Sequence, residues 1–277
     1  MRTFFPKHQP KTIGLAVFLN AGDPALEHLE DLILLLDAEG IDCLELAVPF
    51  PDSISDGPAI QRSAVRALQR GIGLGDVLGL IDRVRPQLQR LRIALLADWS
   101  HTVKPLGLRE FIGSIADSGA DGLLIHGLPP RVRSTYYEIT DALQVPIITT
   151  CYATSGTQVK EEALRHASAY LYLVAQYGRT GTTPADGYEG LATLIQNLRS
   201  YRNVPIAVGF GIKTRAHVDA LRDIGADAAI IGSAFVTSLE PALIEGRSPV
   251  LAAHAFLASL RDAGESEARV PLSRQSA

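Results

Sequence analysis

Apolar residues gather into eight short runs along the chain, at 13–20, 43–48, 92–98, 122–127, 145–151, 169–175, 204–211 and 228–234. Runs this short and this rich in Val, Ile, Leu and Ala predict strands buried on both faces. The segments between them repeat apolar residues every three or four positions instead. In the first, Leu26, Leu29, Leu32, Ile33, Leu36 and Ala38 recur with acidic residues between them, which predicts an amphipathic helix. The long interval from 48 to 92 carries two helical patterns, 59–70 and 74–90, so one helix is added after the second strand. A helical lead-in is predicted before the first strand, a helical region at about 240 to 264, and a polar tail at 265–277.

Three strands are introduced by variants of one phrase: Glu39-Gly40-Ile41-Asp42, Ser118-Gly119-Ala120-Asp121 and Ile224-Gly225-Ala226-Asp227. In each, a glycine suited to ending a helix is followed by a small or apolar link, an Asp and an apolar run, which reads as a helix-to-strand joint used three times. Strands alternating with helices predict a parallel sheet covered by helices, and eight such units predict a closed (β/α)8 TIM barrel. A doubly wound open sheet is the competing architecture, and no GxGxxG follows the first strand to favour it. No Pro/Gly/Ser-rich or charged linker interrupts the alternation, so residues 1–264 are read as one barrel domain.

Composition narrows the partners. The 277 residues are 47% hydrophobic and 20% charged, enough apolar material for one large core. Lys plus Arg number 26 against 30 Asp plus Glu, and the pI near 6.0 leaves no global positive field for nucleic acid or an anionic membrane. Cys43 and Cys151 lie in apolar runs without metal or redox spacing, as expected of buried free thiols in a reducing cytosol. The first residues, MRTFFPKHQPK, lack the apolar core of a signal peptide, so a cytoplasmic protein is expected.

Barrels of this kind carry their chemistry at the C-terminal ends of the strands. There IDCLELAVPF places Glu45 inside an otherwise apolar strand, sharing a face with Cys43 and Ala47, while Leu44, Leu46 and Val48 share the other. The bulkier face suits the helices, so Glu45 is expected to point into the barrel. Burial raises the pKa of such a carboxyl and equips it for proton exchange near neutral pH. The alternative, a structural Glu paired with a buried base, lacks a Lys or Arg inside a strand to pair with. In the following loop, Ser55-Asp56-Gly57-Pro58 supplies either a helix cap or a second carboxylate over the same mouth.

Glycines and small hydroxyls mark a possible anion site. Gly209-Phe210-Gly211-Ile212 follows the seventh strand and Gly232-Ser233-Ala234 the eighth, where barrels often cradle phosphate, and Thr180-Gly181 after the sixth is placed to close the cradle. None of the five lysines lies in a strand, which disfavours a Schiff-base mechanism, and the seven histidines lack HxH or HExxH spacing, which disfavours a catalytic metal. His126, ending the fourth strand, is read as the histidine facing the mouth. The expectation is acid–base chemistry on a small phosphorylated substrate, with no cofactor.

Gly22-Asp23-Pro24, Leu44-Glu45-Leu46 with Val48-Pro49-Phe50, Ser55-Asp56-Gly57-Pro58, Gly209-Phe210-Gly211-Ile212 and Gly232-Ser233-Ala234 together resemble the tryptophan synthase alpha subunit family, in order and spacing, from about residue 13 to about 240. The resemblance implies a barrel that splits indole-3-glycerol phosphate into indole and glyceraldehyde 3-phosphate without metal or cofactor. It implies that Glu45 removes the proton from the glycerol hydroxyl beside the breaking bond and helps protonate indole C3, and that Asp56 holds the indole N–H. It further implies that Phe18, Leu96, Tyr172, Thr180 and Phe210 line the indole pocket, and that Gly181, Gly211, Gly232 and Ser233 hold phosphate.

The departures from that family pattern are local. Pro49-Phe50-Pro51-Asp52-Ser53 replaces PFSDP, in a loop that communicates with the beta subunit in the family. Asp98 stands where a pocket tyrosine is expected, His126 replaces a small residue, and Gln176-Tyr177-Gly178-Arg179 alters the sixth-strand loop. Asp98 and His126 are therefore expected in the substrate pocket, paired with each other, with water or with a substrate group. Four readings follow: a stand-alone or specialised lyase releasing indole for secondary metabolism, an alpha subunit serving tryptophan biosynthesis with a beta partner, a related lyase for a modified substrate, and a non-catalytic partner-binding barrel.

Overall fold

A computed structural model describes residues 3–5, 12–175, 189–209 and 211–260. Its strands are β1 (Gly14–Asn20), β2 (Cys43–Ala47), β3 (Arg92–Asp98), β4 (Gly122–His126), β5 (Ile148–Tyr152), β6 (Tyr170–Val174), β7 (Ile206–Gly209) and β8 (Ala228–Ile231). Helices α1 (Leu26–Ala38), α2 (Pro58–Gln69), α3 (Leu74–Val84), α4 (Lys104–Leu106), α5 (Leu108–Asp117), α6 (Arg133–Ala142) and α7 (Thr157–His166) connect the first six strands. Four more, α8 (Glu189–Tyr201), α9 (Arg215–Asp223), α10 (Ser233–Ile244) and α11 (Pro249–Ser259), complete the chain as described. The helix expected after the second strand is present, since α2 and α3 both lie between β2 and β3.

Every strand pairing is parallel, in the order β4-β3-β2-β1-β8-β7-β6-β5. The ends of that order meet through a single pair, Leu123 with Ile147, where the Leu123 N–H donates to the Pro146 carbonyl at 2.9 Å. The eight strands thus form a (β/α)8 barrel closed by one narrow seam. Outward-facing Leu44, Leu46, Ile93, Leu95, Leu171 and Leu173 are fully buried beneath the helices. Small inward-facing residues, among them Ala16, Cys43, Ala94, Ala207 and Ala228, leave room inside for aromatic rings. Phe4 and Phe5 lie 5.3 and 5.1 Å from the Tyr170 ring and stopper the N-terminal end of the barrel.

The three predicted joints share one geometry. Gly40, Gly119 and Gly225 have φ of +75°, +79° and +86°, the left-handed conformation that ends a helix without a Cβ clash. The Asp that follows is bonded twice to the preceding strand. The Asp42 carboxylate accepts the Leu15 N–H at 2.9 Å while the Asp42 N–H donates to the Leu15 carbonyl at 3.0 Å. Asp121 repeats this with Ile93, at 2.9 and 2.8 Å, and Asp227 with Ile206, at 2.7 and 2.9 Å. A fourth copy uses Ser168 on Ile147, at 2.8 and 3.0 Å, and is hidden in the sequence because Ala167-Ser168 has neither the glycine nor the acid. These rings satisfy strand-end N–H groups that have no ladder partner.

Several boundaries move. β5 starts at Ile148, after Pro146, and β7 at Ile206, after Pro205, because proline supplies no N–H to a ladder. Gly232-Ser233-Ala234 opens α10 rather than ending the eighth strand, so the C-terminal helical region begins earlier than residue 240. It is also two helices, the second capped by the Ser248 hydroxyl, which accepts the Leu251 N–H at 3.4 Å. The predicted tail and most of the predicted lead-in lie outside the described residues. Cys43 and Cys151 are buried free thiols, and no described helix is long and apolar enough to cross a membrane.

Asp227 is 5% exposed and also pairs with Arg199 at 2.9 Å, whereas Asp42 makes no ion pair among the described residues. Asp227→Asn is expected to cost about 2 kcal/mol, more than Asp42→Asn, read as a lower urea midpoint at unchanged slope. The reverse order would contradict the role assigned to the Asp227 charge.

Candidate active site

At the C-terminal end of the barrel the strands enclose a cavity of about 170 Å³. Its lining contains eight of the residues singled out in the sequence: Phe18, Glu45, Asp56, Leu96, His126, Tyr172, Gly232 and Ser233. Asn20, Phe50, Ile60, Leu124, Thr150, Tyr152, Val174 and Ile230 contribute as well. Thr180, Gly181 and Phe210 lie outside the described residues. Gly211 is described, with φ +75°, but does not line the cavity.

Glu45 sits in register between Phe18 on β1 and Ala94 on β3, and strand alternation turns it inward as expected. Its side chain is 1% exposed. From across the barrel the Tyr170 hydroxyl donates to its Oε1 at 2.6 Å. Burial in apolar surroundings pushes the carboxyl up to about 7, and the Tyr170 bond opposes that rise only in part. Burial also holds the Tyr170 phenol far above its ordinary value, so it remains a neutral donor at working pH. Tyr170 was legible in principle, because Tyr170 and Tyr172 are two apart on β6 and therefore share the inward face.

Asp56 belongs to the loop between β2 and α2. It is not the helix cap, a position held by Gly57, and Pro58 occupies the first turn, where its missing N–H costs nothing. The carboxylate instead faces the cavity. Burial raises its pKa, while the Ser53 hydroxyl bonded to it and the nearby His126 imidazole pull the other way. The loop is fastened from behind by Gln61, whose Nε2 donates to the Ser53 carbonyl at 2.6 Å. Two carboxyls thus face one cavity, one buried in the strand and one in a polar loop, the arrangement that lets acid and base roles separate.

Asp98 departs from expectation. It does not line the cavity, and it does not pair with His126. Its carboxylate turns into the π-helical turn Trp99–Val103, accepting the His101 N–H at 2.8 Å and contacting His101 Nδ1 at 2.7 Å. At the last residue of a strand the next backbone N–H groups are unpaired, and an Asp there satisfies them sooner than it reaches a pocket. His126 does line the cavity, with Nε2 3.5 Å from the Ser55 hydroxyl. It is not the only histidine at the mouth, because His101 and His126 stack on Phe50, at 5.8 and 6.3 Å.

Opposite these residues, α10 begins at Ser233 directly after β8. The Ser233 hydroxyl is buried and has no hydrogen-bond partner among the described residues. Unpaired helix N–H groups, the positive end of the helix dipole and a free hydroxyl make this corner suited to an anion. Gly209 serves packing instead, for a Cβ there would stand 2.5 Å from the Tyr172 ring and hydroxyl.

The chain is similar to known proteins along most of its length. The family model described as "Tryptophan synthase alpha chain" matches residues 4–264. The tryptophan synthase alpha chain of Synechococcus elongatus is 37% identical over 234 residues, 84% of this chain and 86% of that one. That of Methylibium petroleiphilum is 33% identical over 265 residues, 95% of each. The crystal structure of tryptophan synthase subunit alpha from Legionella pneumophila superposes with a TM-score of 0.81 at 27% identity, covering 92% of this chain and 94% of that one. The chain therefore belongs to the tryptophan synthase alpha chain family, lyases that cleave indole-3-glycerol phosphate to indole and glyceraldehyde 3-phosphate.

Proposed function

We propose that this chain cleaves indole-3-glycerol phosphate on its own, with Glu45 and Asp56 as the acid–base pair, and releases indole in the cytoplasm. The observation that carries the reading is the buried Glu45 carboxyl with a pKa pushed up to about 7, facing a cavity shared with Asp56. A group that titrates there can take the proton from the glycerol hydroxyl as the carbon–carbon bond breaks and return a proton to indole C3. Asp56 accepts the indole N–H and stabilises the positive charge that gathers on the ring as it leaves. Phe18, Leu96 and Tyr172 flank the ring. The Ser233 hydroxyl and the start of α10 take the phosphate, aided by Gly211, Gly232 and, from beyond the described residues, Gly181; Thr180 and Phe210 complete the indole pocket in this reading.

Independence from a partner is supported by how the loop after β2 is held. Phe50 stacks with both His101 and His126, and Ser53 bonds both Gln61 and Asp56, so contacts within the chain position the Asp56 carboxylate. One observation favours the second reading, an alpha subunit working with a beta subunit: Ile54, in the same loop, is 86% exposed and offers apolar surface to a partner.

The purified protein is expected to release indole from indole-3-glycerol phosphate, with Glu45→Gln slower by roughly 10³-fold and Asp56→Asn by roughly 10²-fold. Wild-type turnover no faster than that of Glu45→Gln would overturn the reading. Strong activation by an added beta subunit would transfer it to the partnered form.

Stability carries the same signature. In the unfolded chain Glu45 titrates near 4.5 and in the folded protein near 7, so between those values the folded state keeps a proton that the unfolded state has released. Stability from this group is full below pH 4.5, falls as the pH rises to about 7, and the total loss is roughly 3 kcal/mol. Urea midpoints at pH 5 and pH 8 are expected to differ more in the wild type than in Glu45→Gln. Equal differences would contradict the burial of a titrating carboxyl.

A further inference from the structure

The seam that closes the barrel leaves an opening beside it. Beyond the Leu123–Ile147 pair no ladder joins β4 to β5, and a cleft of about 320 Å³ opens between their C-terminal halves. Leu124, His126, Thr150 and Tyr152 line both this cleft and the central cavity. What separates the two spaces is therefore a row of side chains, with no backbone ladder across it. Three of those four side chains carry polar groups.

Behind them stands Tyr136 of α6, which lines the cleft and is 3% exposed. Its hydroxyl is buried and has no hydrogen-bond partner among the described residues. Burial keeps it a neutral phenol, and a buried hydroxyl left unpaired is costly, so such groups in folded proteins generally meet a partner. The ring packs 5.5 Å from that of Tyr137.

The topology places this cleft with respect to a substrate. In the strand order β8 lies across the barrel from β4 and β5. A substrate with its phosphate at Ser233 therefore extends its aromatic end toward the cleft. The one polar group of an unsubstituted indole is its N–H, which Asp56 accepts in the reading above. His126, Thr150 and Tyr136 then face a ring with nothing to offer them.

Resting on that lyase reading, we propose that the β4–β5 cleft is a substituent pocket and that the substrate class is an indole glycerol phosphate with a hydroxyl on the benzo ring. The ring hydroxyl enters between Leu124 and Thr150 and accepts a hydrogen bond from Tyr136. Thr150, exposed on the strand, supplies a second polar contact, and His126 edges the entrance.

Calorimetry with indole and with its 4-, 5-, 6- and 7-hydroxy derivatives tests this on the full chain. At least one hydroxyindole is expected to bind about tenfold tighter than indole, a preference that Tyr136→Phe abolishes and Thr150→Val reduces. Thr150→Val, at an exposed position, keeps the test valid if Tyr136→Phe destabilises the fold. Equal binding of all five compounds, or a preference that survives both substitutions, overturns the proposal. Turnover of unsubstituted indole-3-glycerol phosphate separates the two claims. Turnover with no hydroxyindole preference strikes the cleft alone, and a Tyr136-dependent preference without turnover of either substrate form supports the cleft and strikes the lyase reading.

Discussion

A carboxyl group is held at the centre of an apolar barrel by one hydrogen bond among the described residues, from Tyr170 to Glu45 at 2.6 Å, and the rest of the site is arranged around it. Two strands on opposite sides of the barrel must bring their side chains to the same point for the bond to form, so it depends on closure of the whole sheet. It also sets the chemistry. A phenol is a weaker partner than a guanidinium, so Glu45 is positioned without being locked in its ionised form. A buried arginine in place of Tyr170 would hold the same carboxyl in the same place and leave it with no proton to exchange.

The environment that raises Glu45 is produced by small residues as much as by large ones. Ala16, Ala94, Ala207 and Ala228 leave room in the lower interior for Phe4, Phe5 and Tyr170, whose rings fill it and keep water away from the carboxyl on that side. Above Glu45 the lining becomes mixed, with Phe18, Leu96 and Tyr172 beside Asp56, His126 and Ser233. The reciprocal bonds of Asp42, Asp121, Asp227 and Ser168 fix the strand starts at the other end. The half of the barrel that carries no chemistry is thus the more heavily fastened, and the half that binds has strand ends free to carry loops.

Much of this is legible along the chain, and the parts that are not have physical reasons. The strands show as apolar runs because parallel strands are buried on both faces, and Glu45 shows because it is the ionisable residue in the middle of such a run. Asp56 shows only as an acid near a proline, and its direction is decided by Gly57 taking the cap. Asp98 is misplaced by the resemblance, which puts a pocket tyrosine at its position, because a terminal Asp is drawn to the backbone N–H groups that follow it. Ser168 does the work of an aspartate without resembling one. The β4–β5 cleft leaves no mark in the sequence at all, since it arises from two strand ends failing to pair.

Whether Glu45 carries its proton near neutral pH can be read by following that one carboxyl. In protein labelled with ¹³C at the glutamate side-chain carboxyl, the resonance missing from Glu45→Gln identifies Glu45, and its shift against pH gives the midpoint. The expected midpoint is about 7. A midpoint in the ordinary glutamate range near 4.5 would contradict it.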